Sequence, residues 1–244
     1  MSLKIGLNLT ENYSINFSST KRGKKQIKYI ILHYTGMKKE SKAIEKLCDE
    51  KSKVSSHYFI RNTGKVLRLV PDLYEAWHAG KSSWKNLKSL NKNSIGIEIN
   101  NPGHQHGYKK FDRKQISSLK KLLKYLIKKY SIKKKNILGH SDIAPYRKKD
   151  PGEKFPWNEL HKYKLCHGHN LNKKKIVKFR KIKLNLVEQK KFLKNLYEIG
   201  YSRFDDRLFN KKKTILIKAF QRRFRQDLVD GKIDKECFLI SKSL

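Results

Sequence analysis

Residues Lys28–Thr35 read KYIILHYT, and this stretch decides the fold. The run is short, apolar and β-branched, which is the pattern of a buried strand, and it delivers His33 near its end. Working outward, SIGIEIN (Ser94–Asn100) alternates isoleucines with other residues and reads as a second strand. NILGH (Asn136–His140) reads as a third. Ser55–Ile60 and Lys65–Val70 flank Arg61-Asn62-Thr63-Gly64, whose Asn and Gly suit a turn, so they pair as a hairpin. Ser41–Glu50 reads as a short helix. From Arg113 to Tyr130, Ile116, Leu119, Leu122, Leu123, Leu126, Ile127 and Tyr130 recur at spacings of three and four, an amphipathic helix with Asp112 and Gln115 placed to cap it. Strands and helices alternate through both long and hairpin connections. The expected class is therefore α/β, a mixed central sheet flanked by helices.

Beyond the sheet region the pattern changes. Residues 1–170 read as one domain, the lysine-rich 171–184 as a linker, and 185–244 as a small domain of three helices. In that tail, Leu186–Ile199 is helical and stops at Gly200. Thr214–Phe224 has Ile215, Ala219 and Phe220 on one face, and Asp234 caps a last helix running through Ile240.

Lys and Arg number 59 against 21 Asp and Glu, a net charge of +38, and the mean hydropathy is −0.77. At 11% aromatic content the chain is nonetheless too rich in rings for a disordered polyelectrolyte, so a packed core is expected. No apolar run approaches the ~18 residues of a membrane span. Three scattered cysteines, Cys48, Cys166 and Cys237, make neither a disulfide framework nor a zinc knuckle. The first residues, MSLKIGLNLTENYS, lack the apolar core of a secretory leader, which points to the cytoplasm, or to the periplasm and cell envelope if a leader has been removed. The charge invites a nucleic-acid partner. Yet lysine is spread along the whole chain, and no helix-turn-helix, zinc-finger or RNP signature accompanies it, so no specific nucleic acid is expected. An anionic polymer such as a bacterial wall fits better.

His33, His140 and Asp150 stand out chemically. Two imidazoles and a carboxylate at strand ends and in the following loop are what a catalytic zinc takes, three protein ligands and one open position. Taken singly, each is as well explained as a satisfied structural residue. Glu98 in SIGIEI is, alone, a solvated carboxylate on an edge strand, and Lys148 one lysine among many. His78, beside Trp77, is placed to line a substrate groove; His57 reads as a structural partner of the sheet. The loop Asn100–Phe111 follows Glu98 and can form a groove wall, its His104 and His106 being solvated. Cys166, His167 and His169 lack a fourth ligand, and their proximity is read as chance.

Together ILHYT, SIGIEI, AWHAGKSSW (Ala76–Trp84), GHSDIAPYRKKDPG and FPW (Phe155–Trp157), in this order, resemble the zinc-dependent N-acetylmuramoyl-L-alanine amidases of the amidase-2 family, related in fold to peptidoglycan recognition proteins. The resemblance implies one Zn2+ per chain on His33, His140 and Asp150, with Glu98 as catalytic carboxylate and Lys148 as a cation for the oxyanion. It also implies hydrolysis of the amide between N-acetylmuramic acid and L-alanine, in peptidoglycan or its muropeptide fragments. The alternative is a recognition protein that binds peptidoglycan without cleaving it. Ile217–Ile240 resembles the last two helices of a peptidoglycan-binding domain; the plainer reading is a helical extension packed on the enzyme.

Overall fold

The computed structural model describes residues 9–203 and 209–244. Its strands are β1 Leu9–Glu11, β2 Phe17–Ser18, β3 Tyr29–Tyr34, β4 Tyr58–Ile60, β5 Val66–Arg68, β6 Glu75–Ala76, β7 Ser83–Trp84, β8 Leu87–Lys88, β9 Ser94–Ile99 and β10 Ile137–Gly139. Its helices are α1 Glu40–Cys48, α2 Arg113–Tyr130, α3 His140–Ile143, α4 Trp157–Lys162, α5 Lys173–Val177, α6 Leu186–Ile199, α7 Phe209–Phe224 and α8 Lys235–Lys242. Six strands form the main sheet in the order β1-β5-β4-β9-β3-β10. β4, β9, β3 and β10 run parallel, and β5 pairs antiparallel with β4 as the expected hairpin. The sheet is therefore mixed, as its connections require.

The strand period of two divides the side chains between two faces. Ile30 and Leu32 of β3, Ile95, Ile97 and Ile99 of β9, and Tyr58 and Ile60 of β4 join α2 in one apolar cluster. Helix α2 contributes Ile116, Leu119, Leu122, Leu123, Leu126 and Tyr130. It begins where sequence places it, and the Asp112 N–H donates to Gln115 Oε1 at 3.0 Å. Each of the fully buried leucines among them contributes about 1.5–3 kcal/mol.

The opposite face is covered in two pieces. At the β4–β5 side, Ala43 and Leu47 of α1 pack on Phe59, Leu67 and Leu69. At the β3–β10 side, Tyr29, Ile31 and Leu138 share a cluster with Phe192 and Leu196 of α6, Leu216, Ala219 and Phe220 of α7, and Cys237 and Ile240 of α8. Between these two covers the middle of the face, over β3 and β9, stays open. There lie His33 and Glu98, whose parity directs them to this side.

Three local features differ from expectation. The segment read as a linker carries α5, and its Ile176 and Leu184 are buried in the same cluster as the tail helices. Helix α7 starts at Phe209, five residues ahead of Thr214, because the lysines before that position continue the helix on its polar side. β10 ends at Gly139, and His140 opens α3 instead of closing the strand, since the Asp142 carboxylate turns back to accept the Gly139 N–H at 2.7 Å. Among the described residues no helix is long and apolar enough to cross a membrane.

Candidate metal centre

His33 and Glu98 are direct neighbours in the parallel pairing of β3 with β9, and His140 follows the end of β10. All three thus sit at the carboxyl ends of adjacent parallel strands, where open α/β sheets place their ligands. Asp150 returns from the loop after α3. His33 Nδ1 and His140 Nδ1 are 2.9 Å apart, and each is 3.1 Å from Asp150 Oδ2. All three residues are buried.

The residues present fit a divalent ion. The triangle's edges are within a few tenths of an ångström of the spacing expected for donors about 2.0–2.2 Å from one tetrahedral zinc. Burial, reinforced by the His140 charge, lowers His33 to about 4, so its ring is neutral at pH 7. For Asp150, burial alone would raise the carboxyl; the facing His140 and His33 rings outweigh it and hold the group well below the usual carboxylate range. A neutral imidazole and an ionised carboxylate are the states in which these groups bind metal. Among the described residues, this is the group of three potential ligands that converges.

Glu98 lies beside this triangle. Its Oε2 is shut off from solvent and has no hydrogen-bond partner. Burial, then the Asp150 charge, pushes its carboxyl up to about 8, with Lys148 pulling the other way. A carboxyl in that range can both accept and return a proton near neutrality. Lys148 lines the same groove of about 450 Å³, as do Trp77 and His78. The Trp77 indole is half-buried, and its Nε1 donates to Ser18 Oγ at 3.3 Å. His78 is buried, and its Nδ1 lies 3.1 Å from His33 Nε2, so its ring faces the side of His33 turned away from Asp150.

Other histidines have structural partners. His57 Nδ1 accepts the Gly96 N–H at 3.0 Å, as a partner of the sheet should. His104 is not solvated as expected: it stacks on Tyr108 with centroids 4.4 Å apart, meets the Tyr34 hydroxyl at 2.8 Å, and pairs with Glu153 at 3.1 Å. Loop Asn100–Phe111 thus does wall the groove through His104 and Gln105, while His106 is exposed. His167 and His169 reach the Leu244 and Phe224 carbonyls at 2.9 and 3.1 Å, which docks the tail. Sequence reasoning passed over Arg147 and Asn91. Arg147 Nη2 donates to the Ala79 and Lys81 carbonyls at 2.7 and 3.0 Å, and Asn91 Oδ1 accepts the Ala79 N–H at 2.7 Å. Neither sits in a recognisable spacing; their roles appear only when distant loops meet.

Two imidazoles and a carboxylate that could hold one ion, with the unpartnered Glu98 Oε2 alongside, are an arrangement that fits a hydrolase of the α/β class. The family model described as N-acetylmuramoyl-L-alanine amidase matches residues 23–153. The N-acetylmuramoyl-L-alanine amidase AmiD of Escherichia coli (strain K12) is 34% identical over 231 residues, spanning 90% of this chain and 82% of AmiD. On these grounds the chain belongs to the N-acetylmuramoyl-L-alanine amidase family. It is also similar, at 38% identity over 106 residues, to the 1,6-anhydro-N-acetylmuramyl-L-alanine amidase AmpD of Haemophilus influenzae, over 43% of this chain and 55% of AmpD. The solved complex of Escherichia coli AmiD with anhydro-N-acetylmuramic acid-L-Ala-D-gamma-Glu-L-Lys superposes with a TM-score of 0.80 at 31% identity, covering 93% of this chain and 91% of that one. AmpDh3 of Pseudomonas aeruginosa does so with a TM-score of 0.78 at 28% identity, covering 96% and 97%.

Proposed function

We propose that the chain hydrolyses the amide joining N-acetylmuramic acid to L-alanine in peptidoglycan fragments, 1,6-anhydro-muropeptides among them, using one zinc ion held by His33, His140 and Asp150. The observation that carries this reading is the buried triangle beside the unpartnered Glu98 Oε2. AmiD, bound to an anhydromuramyl peptide in its own structure, lends support through similarity along nine-tenths of the chain.

When bound there, zinc supplies Lewis acidity that makes water a competent nucleophile near neutral pH. Glu98 Oε2 takes the proton of the attacking water and returns it to the departing alanine nitrogen. The Lys148 ammonium faces the negative charge that develops on the carbonyl oxygen, a contribution of the kind worth about 10²–10³-fold. Trp77 and the 104–105 loop shape the groove around the substrate, and the lysines along its rim attract the stem peptide's carboxylates.

Mass spectrometry of a defined anhydromuropeptide after incubation with the zinc-loaded protein tests this directly. Release of a stem peptide beginning with L-alanine, together with an intact muramyl sugar, is expected. His140→Ala should abolish it. Unchanged substrate with zinc binding confirmed would overturn the reading.

A further inference from the structure

The backs of the two histidine ligands are both served by one strip, His78-Ala79. Ser94 Oγ lies 2.7 Å from the Leu90 carbonyl, which can only accept, so the hydroxyl proton points there. Ser94 Oγ is then the acceptor toward His78 Nε2 at 3.2 Å, and that nitrogen must carry a proton. The His78 ring is buried and its nitrogens meet Ser94 Oγ and His33 Nε2, neither of them anionic, so no counter-charge supports a second proton and the ring is neutral. Its Nδ1 is therefore bare and accepts from His33 Nε2 at 3.1 Å. This leaves His33 with its lone pair on Nδ1, facing Asp150.

The second arm is shorter. His140 Nε2 lies 3.1 Å from the Ala79 carbonyl and 3.2 Å from Arg147 Nη2; the two Nη2 protons go to the Ala79 and Lys81 carbonyls at 2.7 and 3.0 Å, so His140 Nε2 donates to the Ala79 carbonyl and its bare Nδ1 turns toward Asp150. Asn91 Oδ1 holds the strip in place by accepting the N–H groups of His78 and Ala79 at 3.2 and 2.7 Å. Room for the His78 ring comes from Gly96, where a Cβ would meet the ring at 2.4 Å.

We propose that His78 is a positioning residue, which with the Ala79 carbonyl fixes both imidazoles in the tautomer that presents Nδ1 to the metal. His78 thus acts through His33 and not on the substrate. The inference rests on His33, His140 and Asp150 being the metal ligands. Acceptors behind ligating imidazoles typically alter metal affinity by about 10–100-fold.

The test compares His78→Leu, which fills the space without accepting a proton, with His78→Gln, which keeps an acceptor. Zinc affinity is measured by chelator competition, and the visible spectrum of the cobalt(II)-loaded protein reports ligand geometry. His78→Leu is expected to lose about 10–100-fold in zinc affinity and to shift the cobalt bands, with His78→Gln within a few-fold of wild type. Wild-type affinity in His78→Leu would overturn the proposal. Equal weakening in both variants would overturn it too, by assigning His78 a packing role. A wild-type protein that binds no zinc would instead sink the ligand assignment itself.

Discussion

Glu98 concentrates the electrostatic tension of the site. Its folded-state pKa lies above its unfolded value, pushed up to about 8 by burial first and by Asp150 second. For an acid shifted this way the protonated form is the one folding favours. Its stabilising contribution is full below the unfolded pKa of about 4.3 and is lost as pH rises toward 8. In metal-free protein, Glu98→Gln should therefore be increasingly more stable than wild type between pH 5 and 8. Urea unfolding of both proteins across that range checks it; a difference independent of pH would refute the shift. The same variant, loaded with zinc, should lose about 10²–10⁴-fold in turnover, since the amide cannot exchange the water's proton. The convergence of His33, His140 and Asp150 beside Glu98 was legible because these residues stand at strand ends and in the following loop within ordered motifs. The orientation of His78 was not. It depends on Ser94, Asn91 and the bare Gly96, 13 to 18 positions along the chain, and no local spacing encodes which way a ring turns.

At the scale of elements, the turn carrying His140 is braced from the tail. Asp142 is buried, and its Oδ2 accepts from Arg223 Nη1 of α7 at 2.6 Å, while Tyr201 donates to Oδ1 at 2.8 Å. Arg223 Nη2 also donates to the Ile137 carbonyl at the start of β10. Arg223→Met would leave the carboxylate buried beside its backbone partner without a counter-charge, a loss of about 3–5 kcal/mol. Denaturant unfolding measures that cost, and Asp142→Asn in the same background should recover part of it. Sequence placed α2 to the residue because a long period of three and four needs no tertiary help. It placed β3, β9 and the hairpin through their apolar runs. The short strands β1, β2, β6, β7 and β8 escaped it, since two or three residues carry no period. The partnership of Arg223 with Asp142 spans 81 positions, and neither residue announces the other.

At the scale of the molecule, the catalytic sheet and the tail share one apolar cluster that joins Tyr29, Ile31 and Leu138 to Phe192 and Phe220. The full chain should then unfold in a single cooperative transition. A fragment ending at residue 184 should expose that face and bind hydrophobic dyes. Calorimetry of the full chain and dye binding by the fragment decide the point; two separated transitions would show that the tail folds apart. The net charge of +38 predicts promiscuous adhesion to polyanions at low salt. Groove and cover, finally, have different makers. The floor is cut from β3 and β9, but one rim is α1, and another includes His104, whose partner Glu153 lies in a turn that Gln226 of the tail grips through the Glu153 and Phe155 carbonyls at 2.6 and 2.5 Å. Width and chemistry are thereby held on separate parts. A lineage, or an engineer, could rebuild either bank to admit a bulkier glycan or a longer peptide while leaving the strand ends that carry the reaction untouched.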